Sequence, residues 1–280
     1  MKIYDQIDSL QLALSSYRKQ KKIGFVPTMG ALHMGHLSLV RRALKENSCV
    51  VVSIFVNPTQ FDNKTDLEKY PRTLAQDVSL LRTLKGTILI FSPEVSQLYP
   101  NKITSTQYHF GSIASQMEGK YRKGHFNGVG TIVRLLLKAV QPHTAYFGEK
   151  DFQQLQIIKK LVALEKLPVK ISGCAIVREK SGLALSSRNS RLSQKQREEA
   201  TLIFHTLTEV RKKFKTHSIA QLNQLVAERF LNSSLKLEYF EIANEITLRT
   251  AERKRKNNKY RAFIAAFAGS VRLIDNMPLN

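Results

Sequence analysis

Short apolar runs alternate with amphipathic stretches along the first two-thirds of the chain. Lys22–Val26 and Cys49–Val56 are rich in apolar residues and closely followed by proline, which favours buried strands. Between them, His36–Glu46 repeats its apolar residues at helical spacing. Further strands are predicted at Thr87–Phe91, Thr144–Phe147 and Val169–Val177, and further helices at Leu74–Leu84, Gly130–Val140 and Phe152–Leu164. Strands that alternate with helices predict a parallel sheet covered on both faces.

The pattern changes after Val177. A loop containing Gly182 precedes two polar helical stretches, and two strand-like runs follow them. The predicted helices are roughly Gln194–Phe214 and Ile219–Leu231, and the predicted strands are Leu235–Ala243 and Tyr260–Ile274. We therefore predict an α/β protein with a Rossmann-like parallel-sheet domain over residues 1–177 and a smaller α+β domain over residues 178–280.

Composition indicates a globular cytoplasmic protein. Hydrophobic residues make up 42% of the 280 residues and charged residues 24%, which argues against disorder. Both cysteines, Cys49 and Cys174, lie in apolar runs and are predicted to be reduced core residues. Charges interrupt the N-terminal stretch where a secretory signal needs apolar residues. No apolar run approaches the roughly 20 residues that span a bilayer, so no membrane association is predicted.

The net charge of +22 raises the possibility of a polyanionic partner. Its distribution weakens that interpretation, because residues 178–280 hold 20 of the 44 basic and 10 of the 22 acidic residues. The excess of basic over acidic residues is therefore spread over both parts of the chain and forms no dedicated basic arm. We predict a solvated basic surface and no specific nucleic-acid site.

The string PTMGALHMGH, residues 27–36, is the first candidate site. It lies where a strand is predicted to end and a helix to begin, and ligands of open α/β sheets bind at the carboxyl ends of strands. Free N–H groups and the helix dipole favour phosphate there, and Gly30 and Gly35 allow close approach of the backbone. His33 and His36 are three residues apart, so both can reach a triphosphate from one helical face.

HMGH resembles the His-x-Gly-His signature of the class I aminoacyl-tRNA synthetase and nucleotidyltransferase superfamily. The wider string closely resembles the pantoate–β-alanine ligase, or pantothenate synthetase, family. Further strings resemble that family in the same order along nearly the whole chain: FVNPTQF (55–61), YPRTLAQD (70–77), MEGKYRKGHFNGV (117–129), FGEKDFQQL (147–155), VREKSGLALSSRN (177–189) and RLIDN (272–276).

The resemblance implies ATP-dependent condensation of (R)-pantoate with β-alanine through a pantoyl adenylate, a reaction of coenzyme A biosynthesis. It implies that His36 is the proton donor and that His33, Lys150 and Arg188 are also catalytic. The LSSR string, residues 185–188, occupies the place of the superfamily's mobile KMSKS loop. The residues implied in ATP binding are Met29, Gly30, Ala31, Leu32, His33, Met34, Gly35, His36, Gly148, Glu149, Lys150, Asp151, Val177, Leu185, Ser186, Ser187 and Arg188.

The resemblance also implies the other ligands. Gln60 and Gln154 bind pantoate, and Gln60 also contacts β-alanine. Asp77 is the candidate ligand of the Mg²⁺ that accompanies ATP, whereas Asp151 orients the nucleotide. The smaller domain is expected to close over the site, and related enzymes imply a homodimer.

Two other functions remain open from the sequence. A nucleotidyltransferase would share the histidine motif but would not need the strings that carry Gln60 and Gln154. An RNA-binding relative of tRNA synthetases would fit the positive charge. It predicts a basic or aromatic module outside the catalytic strings, and the sequence contains none. RNA retained in a gently purified sample would favour the second function.

Overall fold

The computed structural model describes residues 1–19, 22–60, 67–68 and 70–280. Phe61, the last residue of the string FVNPTQF, lies outside the described residues. The chain forms two compact units. The first consists of Met1–Phe110, Arg122–Glu149 and Gln154–Ala175, and the second of Gly111–Tyr121, Lys150–Gln153 and Ile176–Asn280. The division into residues 1–177, expected to bind nucleotide and pantoate, and residues 178–280, expected to close over the site, remains a prediction.

The described residues of the first unit contain a six-stranded parallel sheet. Its strands are β1 (Lys2–Tyr4), β2 (Ile23–Thr28), β3 (Cys49–Ile54), β4 (Ile88–Phe91), β5 (Thr144–Gly148) and β6 (Lys170–Cys174). Their spatial order is β1-β4-β3-β2-β5-β6. From β2 the chain first adds strands on one side and then adds β5 on the other. The crevice at the carboxyl end of β2 is therefore the topological switch point, where such sheets bind ligands.

Helices pack on this sheet through apolar faces. Those of the first unit are α1 (Ile7–Arg18), α2 (Met34–Glu46), α3 (Leu74–Arg82), α4 (Val95–Leu98) and α6 (His125–Val140), and α7 spans Phe152–Leu164. Val40 of α2, Val52 of β3 and Tyr146 of β5 belong to one cluster of fully buried residues. The predicted parallel-sheet fold is confirmed.

The second unit contains a three-stranded antiparallel sheet in its described residues. The strands are β7 (Lys236–Asn244), β8 (Tyr260–Ala268) and β9 (Val271–Pro278), and the helices are α5 (Met117–Tyr121), α8 (Gln194–Glu199), α9 (Thr201–Lys213) and α10 (Ile219–Leu231). Leu207, Leu222 and Ile264 are fully buried in the core between helices and sheet. The predicted smaller α+β fold is confirmed.

Several predicted boundaries were wrong. The single strand Tyr260–Ile274 is a hairpin, because Gly269 adopts a left-handed φ of 59° and turns the chain between β8 and β9. The single helix Gln194–Phe214 is interrupted at the fully buried Ala200. Helix α6 begins five residues before the predicted Gly130, and β1 and α1 were not predicted.

The cysteines agree with their prediction. Cys49 and Cys174 are both buried and form no disulfide. Burial raises the pKa of the Cys174 thiol, which keeps the sulfur protonated and unreactive at neutral pH. Among the described residues, every helix is too short or too polar to cross a bilayer.

Candidate active site

The turn between β2 and α2 has an unusual backbone. Gly30 and Ala31 are both left-handed, with φ of 81° and 49°. A side chain at Gly30 would lie 3.1 Å from the Asp77 carboxylate and 3.2 Å from Ile54, so glycine is needed for space as well as for conformation. Ala31 carries a Cβ, and its conformation costs about 1–2 kcal/mol. Specific contacts must therefore hold this turn in place.

Asp77 supplies those contacts. Its Oδ2 accepts a hydrogen bond from the backbone N–H of Ala31 at 3.0 Å, and its Oδ1 accepts one from Leu32 at 2.7 Å. The Thr73 hydroxyl donates to the same Oδ1 at 3.3 Å. The side chain is thus neither a solvated charge nor open to solvent, since Asp77 is only 2% exposed.

The predicted magnesium site at Asp77 does not fit this geometry. Mg²⁺ in proteins keeps several waters and near-octahedral oxygen ligands. Both Asp77 oxygens already accept N–H or O–H donors, and at 2% exposure the side chain has little contact with the solvent from which a bound Mg²⁺ would keep its waters. Within the described ranges, no group of three or more His, Cys, Asp or Glu side chains could hold a metal ion. We therefore assign no step to a metal at Asp77.

His33 and His36 form a reciprocal cap at the start of α2. The backbone N–H of Gly35 donates to His33 Nδ1 at 3.1 Å, and that of His33 donates to His36 Nδ1 at 3.3 Å. The ring centroids are 4.1 Å apart. Because both Nδ1 atoms accept, each neutral ring carries its proton on Nε2. The arrangement provides two imidazole N–H donors at a helix N-terminus, where developing negative charge is stabilised.

Gln60 lies close to this turn. It ends the 3₁₀ turn Pro58–Gln60 after β3, and its side-chain amide contacts the sulfur of Met29. Thr28 and Ile54 pair at the ends of β2 and β3, so the two loops leave the sheet side by side. The structure thus brings together two predicted site residues that are 31 positions apart.

The backbone of Gln60 is held by residues for which the sequence indicated no definite role. His125 Nδ1 is 2.9 Å from the Gln60 carbonyl oxygen, and Arg122 donates to the same oxygen at 3.4 Å. Asn57 donates to the carbonyl of Gly128 at 3.2 Å. A Cβ on Gly128 would lie 2.1 Å from the Thr59 carbonyl oxygen, so helix α6 approaches this turn through a glycine. Asn57, Arg122 and His125 all lie in strings that resemble the family, and this resemblance was the only feature of the sequence that could have indicated their role.

The adjacent glutamines Gln153 and Gln154 differ in their surroundings. Gln153 is 3% exposed and bonds three backbone groups of the second unit, the N–H of Glu118 and the carbonyls of Ile113 and Gln116. Gln154, the predicted pantoate ligand, is half-buried. The sequence string alone does not distinguish a glutamine held by the backbone from its neighbour.

Of the remaining predicted ATP residues, Gly148 and Glu149 belong to the first unit, whereas Lys150, Asp151, Val177 and residues 185–188 belong to the second. Ser186 caps the 3₁₀ turn Ser187–Arg191 by accepting the N–H of Arg188 at 3.2 Å. The N–H of Leu185 donates to the carbonyl of Val177 at 3.0 Å, which fixes the base of this loop. Lys150 Nζ lies 3.7 Å from Asp151 Oδ1, and the Lys150 carbonyl accepts from Asn276 at 2.8 Å.

A buried ion pair anchors the same loop. Arg178 donates to both carboxylate oxygens of Asp275, at 2.6 and 3.0 Å, and to the carbonyl of Gly182 at 3.1 Å. Asp275 is 4% exposed. The two bonds to Asp275 fix the Arg178 guanidinium, and its bond to the Gly182 carbonyl holds the loop tip. The string RLIDN contained Asp275, but its partner Arg178, 97 positions earlier, could not be identified from spacing.

Comparison with known proteins agrees with the family resemblance of the sequence strings. The family model for pantoate–β-alanine ligase matches residues 2–278. The pantothenate synthetase of Flavobacterium psychrophilum is 54% identical over 93% of each chain, and that of Bacteroides fragilis is 48% identical over 99% of this chain and 98% of its own.

Solved structures give the same assignment. The crystal structure of pantothenate synthetase from Thermus thermophilus has a TM-score of 0.91 and 38% identity, and covers 100% of this chain and 99% of its own. The pantoate–β-alanine ligase of Francisella tularensis, complexed with β,γ-ATP and β-alanine, has a TM-score of 0.82 and 39% identity, with coverage of 100% and 98%. The chain therefore belongs to the pantoate–β-alanine ligase family.

Proposed function

We propose that this chain joins (R)-pantoate to β-alanine at the expense of ATP, by way of a pantoyl-adenylate intermediate. Membership of the family supports the overall reaction, and the Francisella tularensis relative is a complex with β,γ-ATP and β-alanine. The observation that carries the mechanism is the pair of imidazole Nε2–H donors at the switch point of the sheet, beside Gln60.

The first proposed step is adenylation. A carboxylate oxygen of pantoate attacks the α-phosphorus of ATP, the bond to the bridging oxygen of the β-phosphate breaks, and pyrophosphate leaves. Two anions must meet, so donors that are already in place lower the barrier. His33 and His36 supply N–H donors for this charge, and His36 is the proposed proton donor. Lys150 and Arg188 supply fixed positive charge for the departing pyrophosphate.

The second proposed step forms the amide. The amino nitrogen of β-alanine attacks the acyl carbon of the adenylate, the bond to the phosphate oxygen breaks, and AMP leaves as the nitrogen loses a proton. Gln60 is proposed to contact both pantoate and β-alanine, because an amide offers a donor and an acceptor together. Analysis of products tests the two-step scheme. AMP and pyrophosphate should equal pantothenate in amount, and formation of ADP would contradict it.

The proposed ATP-binding residues follow the family motifs. Those at the turn between β2 and α2 have the backbone geometry described above, and the N-terminus of α2 suits a phosphate group. The full set is Met29, Gly30, Ala31, Leu32, His33, Met34, Gly35, His36, Gly148, Glu149, Lys150, Asp151, Val177, Leu185, Ser186, Ser187 and Arg188. Magnesium is proposed only as a companion of ATP, since it binds largely through phosphates and retained waters.

Gln154→Ala is expected to weaken pantoate binding while leaving ATP binding nearly unchanged. The loss of one hydrogen-bonding group matched to the substrate costs about 1–3 kcal/mol. Calorimetry with each ligand measures the two affinities separately. Gln156→Ala is the matched control, because Gln156 is a half-buried glutamine two positions further along α7. Equal losses of affinity for both ligands, or a similar effect of the control, would contradict the assignment of Gln154.

Two properties rest on the family alone. We propose a homodimer and a cytoplasmic location by analogy with related enzymes. Light scattering of the purified chain measures its mass in solution, and a monomer at all concentrations would contradict the dimer. A fluorescent fusion in the source cell would show the location.

A further inference from the structure

The turn between β2 and α2 depends on the carboxylate of Asp77, which lies 45 positions from Leu32 in the sequence. Asp77 bonds the N–H groups of Ala31 and Leu32 with separate oxygens, at 3.0 and 2.7 Å. The second of these residues directly precedes His33, which begins the cap of α2. The placement of both histidine rings therefore depends on the backbone that Asp77 holds.

The surroundings of Asp77 favour a negatively charged side chain that tethers the turn at residues 30–32 to helix α3. It lies in the first turn of α3, where the helix dipole stabilises negative charge, and Thr73 supplies a third donor. The carboxylate also packs against Gly30, whose missing side chain leaves room for it. Three donors fill most of the roughly four accepting positions of this carboxylate, and Asp77 is only 2% exposed.

We propose that Asp77 is a positioning residue, which holds the left-handed turn at 30–32 so that His33 and His36 present their Nε2–H groups, and that it does not bind magnesium. A cation at this carboxylate would either displace the N–H donors or lie close to their positive ends. The effect on catalysis rests on the proposed role of the histidines, whereas the tether itself does not.

The catalytic test uses Asp77→Asn. The amide retains one acceptor but turns an N–H₂ group toward a backbone donor, so one of the two bonds must be lost. We expect adenylation to slow by up to about 10²-fold, the effect of a misplaced catalytic group, with an unchanged magnesium activation constant. A magnesium ligand predicts instead that this constant rises by about tenfold or more and that excess Mg²⁺ restores the rate. Asp8→Asn is the matched control, an exposed aspartate in the first turn of α1.

A second measurement uses the unaltered protein without ATP or metal. Amide hydrogen exchange by NMR should be slow at Ala31 and Leu32, and adding Mg²⁺ alone should leave their amide shifts unchanged. Rapid exchange at both amides, or a saturable shift with Mg²⁺, would overturn the proposal even if Asp77→Asn failed to fold. Slow exchange together with a fully active His36→Ala variant would leave the tether standing and reject the proposed role of His36.

Discussion

His36→Ala is expected to fold and to form pantoyl adenylate about 10²–10³ times more slowly than the unaltered enzyme. The substitution removes an Nε2–H donor from the helix N-terminus, where the transition state gathers negative charge. It also removes the acceptor of the His33 N–H, which weakens the cap of α2 by about 1 kcal/mol. Rapid-quench measurement of pyrophosphate release in a single turnover gives the adenylation rate directly.

The control for this variant is His205→Ala, which removes an exposed histidine of α9. Its adenylation rate should match that of the unaltered enzyme. Circular dichroism establishes that both variants are folded. A folded His36→Ala variant with a normal adenylation rate would remove His36 from the mechanism.

Arg272→Met is expected to destabilise the second unit by about 3–5 kcal/mol, the usual cost of leaving a buried charge without its partner. Arg272 donates to both oxygens of Glu118, at 2.9 and 2.7 Å, and to Glu238 at 3.0 Å. The Tyr239 hydroxyl donates to Glu118 at 2.8 Å, and burial raises the pKa of that phenol well above its usual range. Methionine would leave the carboxylates of Glu118 and Glu238 close together without the Arg272 cation.

Urea unfolding followed by circular dichroism measures this loss. Arg249→Met is the matched control, because Arg249 is an exposed arginine of the same unit. A midpoint for Arg272→Met equal to that of the control would show that the ion pair contributes little. Replacing Glu118 and Glu238 by glutamine in the same variant should recover part of the stability, because no buried charge then lacks a partner.

The local pattern of apolar and polar residues was sufficient to predict many of the strands and helices of the first unit. The run Cys49–Val56 became β3 with its end two residues earlier, and Phe152–Leu164 was predicted with its observed bounds. These elements have strong periodicity and clear flanking residues. The hairpin after Tyr260 was missed because apolar residues continue up to Gly269 on one side and resume directly after Ser270. The Gly-Ser pair was the turn signal that could have separated the two strands.

The sequence predicted which residues form the candidate site better than it predicted the contacts that those residues make. Histidines three positions apart indicated a shared face, and the structure confirms that their rings are adjacent. Their Nδ1 bonds to the backbone, and with them the tautomer, depend on the left-handed turn at Gly30 and Ala31, which periodicity does not encode. Asp77 was proposed as a magnesium ligand from the family resemblance of its string. Its contacts with the backbone N–H groups of residues 45 and 46 positions away could not be predicted, because any residue except proline supplies such a group.

Exchange of labelled pyrophosphate into ATP tests the central claim most directly. An enzyme that forms pantoyl adenylate before the amine enters should catalyse this exchange with pantoate and magnesium present and β-alanine absent. Omitting pantoate should abolish the exchange, because no adenylate can form and revert. Adding β-alanine should then release AMP. Exchange that requires β-alanine, or the appearance of ADP in place of AMP, would contradict the adenylate mechanism.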